Sequence, residues 1–392
     1  MNLPKVYMQN EIQTKLDAIV IGAGLTGLTT AHTLKKRGKR VVVIEKEQRV
    51  GGQIHTYQQG DYTFESGPNT GVVSYPEVAE LFHDLAQWGC SLEEAHEEAR
   101  QRWIWKGTKF HAIPSSLIGA VRTPLFTWRD KFGILGEPFR RKGTNPDEDV
   151  ASMVVRRLGK SYLDYAVDPF VSGVYAGNPH TLITRFALPK LYNLEQNYGS
   201  FIRGGIAKSK EKKSERERLA TKNVFSAVGG LSRLTEALTQ SVGESNIILG
   251  AKEVVVTPMN GQWQVSYKTA TGETISLCSQ HVITTVGAYA LKTMLPFVEE
   301  ADMAAISALR YAPIIQVSVG LLMHMGWRIK PLEDSFRRVR NNHSWGFFSL
   351  RLAFHNVVQL QAHSILSLSA ARITPKCSIK PMPNSNKWFV KV

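Results

Sequence analysis

No run of apolar residues in the 392-residue chain reaches the roughly 18 that a membrane-spanning helix requires. The opening stretch, MNLPKVYMQNEIQTKLD, lacks the apolar core of a signal peptide. Cysteine is scarce: Cys90, Cys278 and Cys377 lie far apart and are odd in number, which excludes a disulfide framework and offers no metal-ligand spacing. These absences lead to the expectation of a cytoplasmic protein without a metal. Acid is missing from residues 335–392 altogether, and from Leu322 onward eleven Lys or Arg stand against only Glu333 and Asp334. The net charge of +15 is therefore mostly a property of the tail, since the first 321 residues hold 37 basic and 31 acidic side chains. That mild surplus suits an anionic substrate or an anionic membrane surface. Basic residues interleaved with aromatics along one face do not occur, so no nucleic-acid partner is expected. Nor does a Ser/His/Asp or Cys/His arrangement stand out; His55, His111 and His281 sit among apolar strand residues and read as structural.

What is present starts at Asp17. The stretch DAIVIGAGLTGLTTAHTLKKRGKRVVVIEKEQRVGG, ending at Gly52, has the order strand, glycine turn, helix, strand, acid, double glycine. Ala18–Ile21 reads as a buried strand. Gly22, Gly24 and Gly27 supply the tight turn, the close approach of backbone to a pyrophosphate and the helix-to-strand contact. Ala23, Leu25 and Thr26 share that turn, and the helix from Leu25 to about Arg37 would point its first amides at the phosphates. Arg40–Ile44 is a second strand that delivers Glu45, followed by Lys46, where a carboxylate can accept ribose hydroxyls. Arg49-Val50-Gly51-Gly52, with Gln53 after it, matches an extension typical of FAD-binding chains, although an ordinary glycine turn is the plainer alternative. Ser66-Gly67-Pro68-Asn69 follows where such chains turn back toward the isoalloxazine ring. The nucleotide read from these residues is FAD.

Periodicity places a helix over Tyr75–Gly89 with Val78, Leu81, Phe82, Leu85 and Trp88 on one side. RWIWKGTKFHAIP, residues 102–114, reads as a hairpin. Leu117–Arg141 reads as short helices presenting an apolar, basic surface, and Asp147–Ala166 as one helix. Ser209–Arg218 is a charge run, taken as a solvated helix or loop. Helical spacing returns at Leu231, Leu234 and Leu238. Strands follow at Asn246–Leu249 and Val254–Val256, then an antiparallel pair at Gln262–Tyr267 and Glu273–Leu277, and a separate strand at His281–Thr285 re-entering the first sheet.

Asp168–Gly204 reads DPFVSGVYAGNPHTLITRFALPKLYNLEQNYGSFIRG. With the FAD stretch, RWIWKGTKFHAIP and SAVGGLSRLTEAL, it resembles the oxygen-dependent protoporphyrinogen oxidases of haem synthesis over about residues 17–321. Bacterial coproporphyrinogen oxidases share that architecture and stay open as the alternative. The resemblance implies an α/β fold, in which a discontinuous Rossmann-like FAD-binding domain carries an inserted α+β substrate and membrane domain. Its expected divisions are 1–75 and 223–290 for the FAD domain, 76–222 for the insert, 291–321 for the start of a substrate sheet and 322–392 for a tail. It implies a six-electron oxidation of a porphyrinogen with dioxygen as acceptor and release of hydrogen peroxide. Arg102 matches the arginine that pairs a substrate propionate in that family; Gly173 and Gly177 would let backbone lie against the flat ring, and Val254 would meet the adenine through its backbone. Asn178 departs from the aspartate usual after the AG step. Peripheral contact with the cytoplasmic face of a membrane follows from the resemblance alone; the family often dimerises, which leaves a homodimer open.

After Gly320 this likeness is expected to stop. Ala370–Val390 can be read, in a neighbouring reading frame, as a family-like strand and amphipathic helix with acids in place. The expectation is a change of frame between about Leu321 and Asn341, and a 392-residue chain that binds FAD poorly and turns over little. A lineage-specific basic tail is the alternative.

Overall fold

The computed structural model describes residues 16–59, 62–95, 103–106, 108–114, 117–312, 314–322, 363–371, 378–381 and 388–391. They fall into two compact units, one holding the described residues of 16–95 and 215–310, the other holding those of 103–214 and from 311 onward.

The first unit is built on a six-stranded sheet. Strand β1 (Leu16–Ile21) and strand β2 (Val41–Ile44) pair in parallel, with helix α1 (Leu25–Lys36) between them in sequence. Ala18–Ile21 of β1 and all of β2 read as unbroken apolar runs because both faces of this parallel sheet are covered. Successive side chains alternate between the two cores. Ala18, Val20, Val41 and Val43 pack under α1 with Leu28 and Ala31. Ile19, Ile21, Val42 and Ile44 face the opposite core with Val256, Val265 and Tyr267. The helix Ser232–Val242 covers the first of these faces, contributing Leu234, Ala237, Leu238 and Val242. Helix α2 (Pro76–Leu85) adds Phe82 and Leu85 to the same core, so the helical stretch after Tyr75 lies in this unit. It stops at Leu85; Ala86–Trp88 tightens to a 3-10 turn that Gly89 ends at φ 72°.

Thr274–Thr284 is one strand where the sequence suggests two. Its first half pairs antiparallel with Gln262–Lys268, and its second half runs parallel to β1. Ser279 is the hinge of this arrangement, opposite Trp263 on one side and Leu16 on the other. The short, charge-poor stretch between the halves looks like a break by hydropathy, yet Ser279 within it is paired on both edges. Away from the sheet, strand β3 (Thr56–Gln59) and strand β4 (Tyr62–Glu65) form a hairpin. Of the charge run, residues 215–218 form a helical turn held by Arg216, which donates to Glu77 and Glu80 on α2 at 2.6–2.9 Å.

The second unit is mainly helical. The hairpin Trp103–Lys106 and Lys109–Ala112 is present. Leu117–Arg122 and Trp128–Leu135 are short helices, the latter opened by a capping box between Thr127 and Asp130. The single helix expected over Asp147–Ala166 is interrupted. Val150–Arg157 ends at Gly159, whose φ of 101° is left-handed, and a π segment Leu163–Val167 follows. A buried ion network ties these pieces together: Arg157 and Glu137 are both fully buried and paired, and Glu137 also accepts from the Ser200 hydroxyl at 2.5 Å and the Phe201 and Ile202 amides at 3.0 and 3.2 Å. Ile314–Leu322 pairs antiparallel with His363–Ala371. Most of the expected off-frame tail lies outside the described residues.

Candidate cofactor site

The glycine turn between β1 and α1 is closed by contacts that tolerate no side chain. The Gly22 amide donates to the Ile44 carbonyl at 2.8 Å, and its φ of 106° belongs to glycine. A Cβ on Gly27 would lie 1.9 Å from the Gly22 carbonyl oxygen, so helix and turn meet backbone to backbone. Gly24 is the N-cap of α1 and makes no side-chain hydrogen bond; the first turn carries no acid, and Lys35 and Lys36 occupy the last. An uncapped, acid-free N-terminus leaves amide donors and the positive end of the helix dipole for an anion. Leu25 and Thr26, at that end, are exposed, whereas Ala23 is buried.

Glu45 is buried at the tip of β2. Its Oε2 accepts from the Ala23 amide at 2.7 Å and its Oε1 from the Glu47 amide at 3.0 Å. Each carboxylate oxygen keeps a further lone pair, so the same group can accept ribose hydroxyls. The Ala251 amide donates to the Glu45 carbonyl at 2.9 Å, bringing the segment before Lys252–Met259 alongside. In that strand the register shifts: Lys252 pairs with Lys268 and Val255 with Ser266, so Glu253 and Val254 share one partner position. Glu253 has φ 50°. The bulge falls at Val254, which is where the sequence reading expects an adenine contact.

Residues 49–54 form the next layer. The Gly51 amide donates to the Ala23 carbonyl at 2.8 Å, and Gly51 bridges to Gly24. Arg49 folds back onto this loop, donating to the carbonyls of Val50, Ile54 and Gly52 at 2.8–3.2 Å. Its guanidinium is thus largely engaged in holding the loop. Lys46 is exposed and lies 3.6 Å from Glu47. Gly52 has φ 57° and packs on Gly24, with Gln53 exposed beside it. Gly67 sits against Gln53 so closely that a Cβ would fall 1.8 Å from the Gln53 carbonyl oxygen. Ser66 donates its amide to the His55 carbonyl at 3.0 Å; exposed Pro68 and half-buried Asn69 continue the turn. Gly22, Ala23, Gly24, Glu45, Gly51, Gly52, Gln53 and Gly67 therefore form one chain of contacts.

In the second unit, Gly173 lies in the helix Asp168–Tyr175, which Ala176 ends at φ 49°. A Cβ on Gly177 would meet Leu182 at 2.5 Å, so this glycine has a packing role. Arg102 lies outside the described residues.

Sequence reasoning missed several participants. Thr285 donates its hydroxyl to the carbonyls of Ile21 and Gly22 at 3.0 and 3.3 Å, locking the turn from behind. Thr56, Glu65 and Ser232 form a polar cluster behind Ser66. The signal was a carboxylate at the end of the aromatic strand YTFE, directly before the Ser-Gly step.

A family model described as flavin containing amine oxidoreductase matches residues 25–349. The chain is 31% identical over 267 residues to protoporphyrinogen oxidase 2, chloroplastic/mitochondrial, of Arabidopsis thaliana, covering 63% of the chain and 52% of that protein. It is 30% identical over 328 residues to the Homo sapiens protoporphyrinogen oxidase, covering 79% of the chain and 67% of that protein. The chain thus spans little more than half the length of the Arabidopsis relative. Among solved structures, it superposes on one described as a candidate protoporphyrinogen oxidase from Exiguobacterium sp. 255-15 with TM-score 0.68 at 19% identity, over 91% of the chain and 77% of that protein. Reduced UDP-galactopyranose mutase gives TM-score 0.60 at 17% identity, over 91% and 74%. These two show a shared fold.

The chain belongs to the flavin containing amine oxidoreductase family. It has the mixed α/β fold of that family, and the family implies FAD as its cofactor. The glycine cradle, the uncapped α1 and buried Glu45 fit that cofactor. The family match also continues to residue 349, past the point near Gly320 where the sequence reading ends the likeness.

Proposed function

We propose that this protein oxidises protoporphyrinogen IX to protoporphyrin IX. The observation that carries this reading is 30% identity to the human protoporphyrinogen oxidase across 79% of the chain. Bound FAD supplies a hydride acceptor that dioxygen restores, three two-electron turns giving three molecules of hydrogen peroxide per porphyrin. The amides at the start of α1 and the backbone of Gly22–Gly24 hold the pyrophosphate; Glu45 accepts the ribose hydroxyls; the backbone at Val254 meets the adenine. Gly51, Gly52 and Gln53 together with Ser66–Asn69 line the flavin end. Arg102 pairs a propionate through a charge-assisted, bidentate contact, and Gly173 and Gly177 give the macrocycle a flat backbone surface. No nucleophile is required: each two-electron step removes a hydride from a bridging methylene and releases a proton to solvent, three such steps give the conjugated porphyrin, and the protein has mainly to orient the ring. The test is substrate-dependent flavin reduction with protoporphyrinogen IX, with coproporphyrinogen III in parallel; reduction by coproporphyrinogen III alone would move the reading to the four-carboxylate substrate.

We also propose that the second unit rests on a membrane surface. No helix among the described residues is long and apolar enough to cross one. Ile118, Val121, Trp128, Phe132, Leu135 and Phe139 are nevertheless exposed, Phe139 by 82%. Arg122 and Arg129 are exposed among them, and the Lys131 ammonium lies 4.7 Å from the Trp128 ring centroid. Apolar area flanked by cations suits an anionic interface. Co-sedimentation with anionic vesicles that Phe132→Glu abolishes supports this; equal sedimentation of both proteins would refute it.

The acid-free tail we attribute to a change of reading frame between about Leu321 and Asn341. Genomic sequence without a family-like continuation in a neighbouring frame would refute this. With the frame restored, FAD affinity and turnover should both exceed those of the 392-residue chain.

A further inference from the structure

The hairpin β3–β4 carries the flavin-end residues at both of its feet: Gln53 before Thr56, and Ser66 and Gly67 directly after Glu65. What fixes those feet is a polar clasp on the helix Ser232–Val242. The Thr56 hydroxyl donates to the Glu65 carboxylate, 2.9 Å from each oxygen. Glu65 Oε1 also accepts from the Leu231 amide at 2.8 Å. Thr56 and Ser232 exchange amide-to-hydroxyl bonds in both directions, at 2.8 and 2.9 Å. Gly230, at φ 101°, makes room for this approach: a Cβ there would lie 2.4 Å from Thr56 Cγ2 and 3.1 Å from Glu65 Oε1.

The clasp is specific in what it reaches. Glu65 is half-buried, and burial raises its carboxyl above the ordinary range against the lowering effect of the Leu231 amide and the Thr56 hydroxyl. Its neighbours in chain and space are Ser66, whose amide donates to His55, and Gly67, which is pressed against Gln53. The adenine end is held by a different set of contacts, those of Glu45 with Ala23, Glu47 and Ala251. The two sets share no residue.

We infer that Glu65 is a positioning residue for the flavin end of the cofactor site, holding Gln53 and Ser66–Gly67 in place through Thr56, Leu231 and Ser232. This rests on the FAD reading of the site. Removing the carboxylate leaves the Leu231 amide and the Thr56 hydroxyl without their acceptor, a loss worth roughly tenfold in an equilibrium constant.

The experiment titrates the full chain and its variants with FAD and, separately, with ADP, which engages only the adenine and pyrophosphate end. Glu65→Ala should weaken FAD about tenfold while ADP stays within about twofold, and should blur the structure of the bound flavin's absorption band. Thr56→Val should behave likewise, and Thr56→Ser should keep parental affinity. If Glu65→Ala does not fold, Glu65→Gln and Thr56→Val carry the same comparison. FAD and ADP affinity falling together with thermal stability would assign Glu65 a merely structural role and overturn the inference, as would unchanged FAD affinity. Failure of the unsubstituted chain to bind either ligand would instead overturn the cofactor reading itself, and the inference with it.

Discussion

Gly67→Ala adds one methyl group at the most constrained point of the flavin end. Its Cβ would lie 1.8 Å from the Gln53 carbonyl oxygen and 2.9 Å from the Gln53 carbonyl carbon, whereas real Cβ contacts essentially never fall below 3.0 Å. The segment must therefore open by more than an ångström between two stretches of backbone, with no flexible side chain to give way. Overpacking of this kind costs about 1–3 kcal/mol, or about 5- to 150-fold in an equilibrium constant. The displaced residues are Gln53 and Ser66–Asn69, so the loss should appear in FAD binding. Gly67 itself does not have a positive φ, which makes contact the sole source of the penalty. Gly38 provides the complementary control. It has φ 74° with nothing within 4 Å of its Cβ position, so Gly38→Ala carries only the left-handed backbone cost of about 1–2 kcal/mol, far from the cofactor. Titration with FAD and thermal unfolding of both variants separate the two effects. Gly67→Ala should lose FAD affinity and Gly38→Ala should lose only stability. A Gly67→Ala protein with parental FAD affinity would refute the claim that this contact shapes the site.

Three other outcomes follow from the geometry. Glu137→Ala removes the hydrogen-bonded carboxylate of the fully buried Arg157, leaving it Glu195 at 3.7 Å, and should destabilise the second unit by up to about 3 kcal/mol, read by denaturant unfolding; an unchanged midpoint would contradict the buried pairing. Burial pushes Glu137 and Glu195 up, but the Ser200 hydroxyl, the Phe201 and Ile202 amides and Arg157 for the first, and Arg156 with the Gly143 amide for the second, hold both below the ordinary carboxylate range. Their contribution to stability is thus full above the unfolded value of about 4.3 and is lost as pH falls through the depressed folded values, so Glu137→Gln should flatten the acid limb of the stability profile. Burial pushes the Cys90 thiol up to about 11, so at pH 8 it should resist alkylation until the protein unfolds, a difference that peptide mass spectrometry reads directly.

Much of the cofactor turn could be read from sequence because its determinants are local. Gly22, Gly24, Gly27 and Glu45 sit at spacings set by one strand, one helix turn and one more strand. Ala18 and Val20 against Ile19 and Ile21 could be read as buried, since a parallel strand covered on both faces has no polar alternation to obscure it. The failures are non-local. Nothing in the residues around Ser279 announces that one strand serves two partners, because the covering strands come from Leu16 and Trp263. The break at Gly159 was hidden by apolar periodicity that continues on either side of it. Thr56, Glu65 and Ser232 could not be joined from sequence, because 176 residues separate the first from the last. Gly177 looked like a ring contact and also has a packing reason in Leu182, which lies five positions on and folds back over it.

The most direct test takes the FAD-reconstituted protein, freed of excess flavin, and mixes it without oxygen with protoporphyrinogen IX. The long-wavelength flavin band should bleach as the flavin takes up two electrons, and admitting air should restore the band while porphyrin fluorescence grows over three flavin cycles. A protein that holds FAD yet keeps it oxidised in the presence of every porphyrinogen offered would contradict the account.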